Sequence, residues 1–341
     1  MNVTTLSQEY ETDPNQPLFI LDGFETTLQT ISDLNMDRVE SISILKDAAS
    51  TAIYGSKAAN GVVVVETVKP KPGQLRGNYN GSLQIGWADL HDFRLMDSAQ
   101  KLEYEKLAGE YGLLGPDGEI ISESGMDKYY DKLKLVKSGY NTYWLNEPLR
   151  TAYSHAHNVY VDGGDSAFRY GIGLTYNKNM GVMKNSNRDV FSGHVTLNYR
   201  VDNFSFNSQT TIGNTDSNNE TVSFSRFSRM NPFHEKRTAD GEVPRYSYRY
   251  AGLSSQYEYV YNPLWDFEQN SFNKSNAHSV TENFQMEWRI LPTLRFRGNF
   301  QYQLSKTLAE VFVSPNETSE YEKEAMKKGR YTNNSTNQTS Y

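Results

Sequence analysis

Five stretches of strict two-residue alternation constrain this chain more than any other feature. Tyr170, Ile172, Leu174 and Tyr176 alternate with Arg169, Gly171, Gly173, Thr175 and Asn177, which leaves one face apolar and the other small or polar. The same pattern recurs in Phe191, Val195, Leu197 and Tyr199, in Phe204, Phe206 and Ile212, in Phe284, Met286, Trp288 and Ile290, and in Leu294, Phe296, Phe300, Tyr302 and Leu304. Each stretch runs for about 10 residues, the length that a tilted strand needs to cross a bilayer. A helical span is ruled out, since the longest aliphatic run, Val62 to Val65, falls far short of the roughly 18 apolar residues that one requires.

The connections alternate in length. Tight turns fall at Gly163-Gly164-Asp165, Asp202-Asn203 and Pro292-Thr293, whereas 88–154 and 216–277 far exceed the usual ~4 to 6 residues. Short turns at one end and long loops at the other characterise outer-membrane barrels. With the short turns on the periplasmic side, the pattern predicts seven strands at 78–87, 156–162, 167–177, 190–201, 204–214, 278–291 and 294–305. Single-chain bacterial barrels close on even counts, so the chain is expected to continue beyond Tyr341.

Residues 1–72 read differently, as a small α/β unit. Pro17 to Leu21 is a short strand closed by Asp22-Gly23, and Val39 to Leu45 is a second. Asp47 caps a predicted short helix, Ala48 to Tyr54, which Gly55 ends in a left-handed conformation. Asn60-Gly61 turns into Val62 to Val65, apolar on both faces and therefore a buried strand. Lys69 to Gly73, with two prolines, is a linker into 73–341.

The run from Val39 through Asp47 and Tyr54 to Val62, VESISILKDAASTAIYGSKAANGV, resembles the plug signature of SusC/RagA-type TonB-dependent outer-membrane transporters. Pro17-Leu18-Phe19-Ile20-Leu21-Asp22-Gly23 resembles the strand that precedes it. The family's Arg and Gly are replaced here by Lys57 and Ala58. The resemblance puts the plug signature on Asp22, Gly23, Glu40, Lys46, Asp47, Tyr54, Gly55, Asn60 and Gly61.

It implies the C-terminal part of a plug domain followed by the first part of an antiparallel transmembrane β-barrel, about 7 of an expected ~22 strands. It further implies an outer-membrane location and TonB-driven import of glycans or peptides through a SusD-like lipoprotein lid. The signal peptide and the TonB-contacting segment are expected to precede Met1.

Other candidate sites are weaker. The segment 224–261 carries Phe227, Phe233, Tyr246, Tyr248, Tyr250 and Tyr257, a candidate loop for substrate or partner contact, with a self-packed loop as the equal alternative. Ala99 to Tyr111 reads as an amphipathic helix with Leu102 and Leu107 inward. His155 and His157 share one strand face, but two imidazoles do not make a metal site, and they are read as lumen or turn residues. No phosphate loop, nucleophile elbow or zinc-protease helix is present, so neither an enzyme nor a cofactor is expected.

With no cysteine, thiolate sites are excluded, and a net charge of -7 without a basic cluster argues against nucleic acid. The 24 Tyr and 16 Phe suit either a membrane girdle or a sugar-binding surface. The competing function is therefore a β-rich glycan-binding surface protein or a decayed gene product. The fate of the apolar strand face separates the two, since a sandwich buries that face and a barrel turns it to lipid.

Overall fold

The computed structural model describes residues 16–47, 52–251 and 257–341. Its first unit is a four-stranded sheet built from β1 (Leu18–Leu21), β2 (Phe24–Thr26), β3 (Val39–Leu45) and β4 (Val62–Thr67), in the order β2-β1-β4-β3. Asp22 and Gly23 hold φ of 50° and 91°, the left-handed pair that closes the β1–β2 hairpin. β4 pairs in parallel with β1 and antiparallel with β3, so it is the covered strand that its unbroken valines require. Ile20, Ala58 and Val62 form the core, with Leu18, Leu45, Tyr54 and Val64 packed round it.

The second unit is one antiparallel sheet of eight strands: β5 (Gly73–Gly86), β6 (Ala152–Gly164), β7 (Phe168–Met180), β8 (Asn187–Val201), β9 (Phe204–Asn219), β12 (Phe272–Leu291), β13 (Leu294–Val313) and β14 (Arg330–Ser340). Each pairs with its neighbour in sequence, and β5 and β14 have one neighbour each among the described strands. A ninth and tenth strand, β10 (Tyr246–Ala251) and β11 (Tyr257–Tyr261), form a separate hairpin in the β9–β12 excursion. The seven expected strands are present, lengthened to between 13 and 20 residues. An eighth, β14, was not anticipated, because RYTNNSTNQTS has almost no apolar face to alternate.

The register fixes two faces. One carries Ile172, Leu174, Phe191, Ile212, Trp288 and Phe300, all between 47 % and 57 % exposed, and no second sheet covers it among the described residues. The opposite face presents Asn158, His194, Gln209, Gln285 and Gln301, and the four-stranded unit docks there. Glycines make room on that polar face, since a Cβ on Gly171 would collide with the Tyr160 hydroxyl and one on Gly173 with the His194 ring.

The long connections fold on themselves at the end away from the tight turns. The first holds helices α2 (Ser98–Leu107) and α3 (Glu123–Lys137). Asp97 caps α2 through a reciprocal box with Gln100. The expected inward face of this helix is partly inverted: Leu102 is buried, but Leu107 is 69 % exposed and Glu105 is buried. The reason is an ion pair that helical periodicity does not reveal, between Glu105 and Lys132 of α3 at 3.0 Å.

Candidate functional site

The small unit meets the sheet wall through polar groups. Asp22 accepts from the Thr67 amide at 2.8 Å and the Thr67 hydroxyl at 2.7 Å, which fixes the hairpin to β4. From the wall, Gln209 donates to the Asp22 carboxylate at 3.2 Å and Gln285 to its carbonyl at 3.0 Å. Gly23 has to be glycine, because its φ is positive and a Cβ would sit 3.0 Å from the Gln285 amide nitrogen. Gln301 reaches the Glu25 carbonyl at 3.4 Å. Asp33, at the end of helix α1 (Leu28–Asp33), receives both terminal nitrogens of Arg188 at 2.6 Å.

A cavity of about 180 Å³ lies along this seam, with Asp22, Asp33, Arg38, His194 and Gln209 in its lining. Burial lowers Arg38 to about 10, against the smaller raising influence of Tyr160 and Asp22. Tyr160 and His194 stack across the strands at 5.8 Å, and the His194 Nε2 is buried with no hydrogen-bond partner among the described residues. A seam of this kind can hold the unit in place with hydrogen bonds that water replaces on withdrawal, at small net cost per bond.

Of the nine signature residues, Asp22 and Gly23 lie in this seat. Gly61, with φ of 94°, turns into β4, where a Cβ would crowd the Leu45 carbonyl at 3.0 Å. Tyr54 packs against the core, whereas Glu40, Lys46, Asp47 and Asn60 are exposed. The predicted helix Ala48 to Tyr54 is corrected in part. Positions 48–51 lie outside the described residues, and 52–58 forms 3-10 turns that continue past Gly55, whose φ of 69° interrupts rather than ends them.

The outer excursions form a second cluster. Phe227 and Phe233 are at most 1 % exposed, and Tyr248 and Tyr250 are buried as well. Their hydroxyls explain why: Tyr248 donates to Asp131 at 3.0 Å and Tyr250 to Asp127 at 2.8 Å, tying the β10–β11 hairpin to α3. These four rings therefore serve as loop interior rather than contact surface. Tyr246 stays half-buried, stacked on Tyr261 at 5.2 Å, and the Tyr257 side chain lies outside the described residues. Lys132 sits 5.2 Å from the Tyr111 and Phe233 ring centres and 5.7 Å from Tyr248, a desolvated cation–π cage. Burial and the Glu105 hydrogen bond push the Tyr111 hydroxyl well above its ordinary range.

His155 and His157 lie on the apolar face, in register with Leu83, Gly81 and Tyr176, and not in the lumen or a turn as the sequence suggested. His157 Nδ1 pairs with the Tyr79 hydroxyl at 2.8 Å. No group of three metal-ligating side chains occurs among the described residues. Sequence reasoning missed Asp33, at the end of a short helix with no signal of its own, and Arg188, Gln209 and Gln285, whose only signal was membership of a polar strand face.

Residues 7–62 match the family described as TonB-dependent Receptor Plug Domain. Over 203 residues the chain is 31 % identical to the TonB-dependent receptor SusC of Bacteroides thetaiotaomicron, covering 57 % of this chain and 18 % of that one. The structure matches that of the RagAB peptide transporter with a TM-score of 0.69 at 20 % identity, over 89 % of this chain and 36 % of the other. Together these similarities support a TonB-dependent receptor of the SusC/RagA type.

A shorter stretch of 59 residues is 49 % identical to the TonB-dependent receptor P39 of Formosa agariphila, which is 17 % of this chain and 6 % of that one. The chain thus spans a minor share of each relative's length. The small sheet is plug, and the eight strands match part of a receptor barrel, open as seen here. The relatives are receptors and transporters, not enzymes.

Proposed function

We propose that this chain is the plug-and-wall part of an outer-membrane importer that takes up oligosaccharides or peptides with energy from TonB. Residues 1–72 act as plug and 73–341 as barrel, with the tight turns in the periplasm and the two large excursions outside. One observation carries the proposal: the sheet has an uncovered apolar face on one side and a polar face on the other, and the polar face seats a plug through side-chain hydrogen bonds. A soluble glycan-binding sandwich would bury that apolar face. Lipid is the environment that leaves it open at no cost. A SusD-like lipoprotein over the outer excursions is the partner that this reading implies.

The test is deletion of the gene in its native host, with uptake of labelled oligosaccharide and peptide pools measured with and without a protonophore. Loss of an energy-dependent uptake that the restored gene returns supports the proposal. Unchanged uptake of both pools, with the protein absent from outer-membrane fractions, contradicts it.

A further inference from the structure

A cleft of about 640 Å³ separates the two outer excursions, and none of the plug contacts uses it. One bank is 93–97 with Lys101, the other is 228–232, and 141–144 closes the floor. The floor is tied to both sides: Thr142 donates its amide and its hydroxyl to the Pro232 carbonyl at 2.7 and 3.0 Å, and Asn141 accepts from the amide of Ser98, next to the first bank, at 3.2 Å. The cleft is therefore a fixed feature of the folded excursions.

Its lining has an uncommon balance for a chain of net charge -7. Arg94, Arg229 and Lys101 supply three cations against one carboxylate, Asp97, and that carboxylate is engaged with the Gln100 amide at 2.8 Å. Neither arginine has an ion-pair partner among the described residues. Lys101 has only Glu105 at 3.8 Å, a carboxylate that Lys132 holds more closely at 3.0 Å. Beside these charges, Phe93, Leu95 and Met96 remain between 43 % and 46 % exposed. In the floor, Trp144 is 2 % exposed and its indole N–H has no acceptor among the described residues. A buried donor of that kind calls for an acceptor, which water or an oxygen of a bound group can supply.

Resting on the importer reading, we infer that this cleft binds acidic peptides as they arrive at the outer surface. The guanidinium groups take side-chain or terminal carboxylates, which they bind in two-pronged fashion. The orphan indole N–H takes a peptide carbonyl. Leu95, Met96 and Met230 offer adaptable apolar contact for neighbouring side chains, as thioethers do in surfaces that accept many sequences. Sugar stacking fits less well: Phe93, the ring on the bank, is engaged edge-on with Phe224 at 5.7 Å and 70°.

The experiment uses the full-length receptor in detergent, with a fluorescent decapeptide of alternating Glu and Leu, its Gln-for-Glu counterpart, and hexagalacturonate as an anionic sugar. The wild type is expected to prefer the Glu peptide about tenfold or more, a preference that added salt erodes. In the double variant Arg94→Gln, Arg229→Gln that preference collapses toward one. Equal binding of the two peptides by the wild type, a preference the double variant retains, or hexagalacturonate binding more tightly than the Glu peptide would each overturn the inference. The salt titration needs only the wild type, so a variant that does not fold leaves the test standing. Energy-dependent uptake that shows no preference for acidic peptides sinks this inference alone, whereas the absence of any energy-dependent uptake sinks the importer reading beneath it.

Discussion

Arg188 on β8 grips Asp33 at the end of α1 with two nitrogens on two oxygens, both at 2.6 Å, across 155 residues of sequence. The two side chains are 28 % and 23 % exposed, so the pair is shielded but not sealed. It is an ion pair between plug and wall, whereas each surrounding glutamine contact has an uncharged donor. Such a pair is selective in a way a hydrogen bond to water is not, since either partner left alone faces a desolvated site.

Removing one side, in Arg188→Ala or Asp33→Ala, should loosen the plug by about 1 to 2 kcal/mol, and the two losses should not add. The swap Asp33→Arg with Arg188→Asp should recover part of the loss. Protease cleavage of the plug in vesicles reports this directly, and additive losses would show that the pair contributes nothing as a pair.

Breaking the Glu105–Lys132 pair in the outer cluster should cost more, because both side chains are under 10 % exposed. Lys132→Ala leaves a buried carboxylate with the Tyr111 hydroxyl at 2.6 Å and the Asn231 amide at 3.1 Å as its remaining close donors. A loss of about 3 to 5 kcal/mol is expected, and Lys132→Met with Glu105→Gln should lose much less. Thermal melts of the purified receptor, followed by cleavage within 88–151 and 220–271, distinguish the two.

Acid should weaken the same cluster. Burial, then Lys132 and Lys101, lower His234 from 6.5 to about 3, while its Nδ1 accepts from the Asn231 amide at 3.2 Å. Tyr248 stacks on the ring at 5.8 Å and Phe233 meets it edge-on at 5.3 Å, so no carboxylate stands against it to favour the proton. The folded value lies below the unfolded one, so the unfolded chain gains a proton first. Stability is then full above pH 6.5 and is lost on acidification toward pH 3, by up to about 1.4 kcal/mol per pH unit. His234→Gln, which keeps an acceptor, should flatten that slope in melts between pH 7 and 4.

Glu282 breaks the pattern of the apolar face. Its row lies between Phe284 and Val280, and it accepts hydrogen bonds from Ser208 at 2.6 Å and from Thr210. Within a bilayer such a group depends on those donors. Ser208→Ala with Thr210→Val should cost about 1 to 3 kcal/mol in urea melts from vesicles. Adding Glu282→Leu to that pair should return the loss or exceed it.

The barrel segments were legible because each strand divides an apolar side from a polar one, and alternation records that division directly. Legibility failed where the division fades. The outer ends of β9 and β12 and the whole of β14 run through residues such as Asn218, Asn276 and Asn333, polar on both faces, so their extension had no periodic signal. Periodicity is also blind to pairing at a distance. It placed Leu107 inward and Glu105 outward, since it could not know that Lys132 arrives 27 residues later. The aromatic loop was visible as composition, but only the acceptors Asp127 and Asp131 on another element reveal that Tyr250 and Tyr248 face inward.

The absence of cysteine makes one measurement unusually direct, because every introduced thiol is the only one in this chain. Spin labels at Leu174, Phe191, Ile212 and Phe300, and at their strand neighbours Thr175, Ser192, Thr211 and Gln301, would be compared in the receptor inserted in lipid. The first group should be relaxed by oxygen dissolved in the bilayer and the second by a water-soluble nickel reagent, with the two alternating residue by residue. Water access at Leu174, Phe191, Ile212 and Phe300, or no alternation along β7 to β13, would contradict a membrane wall.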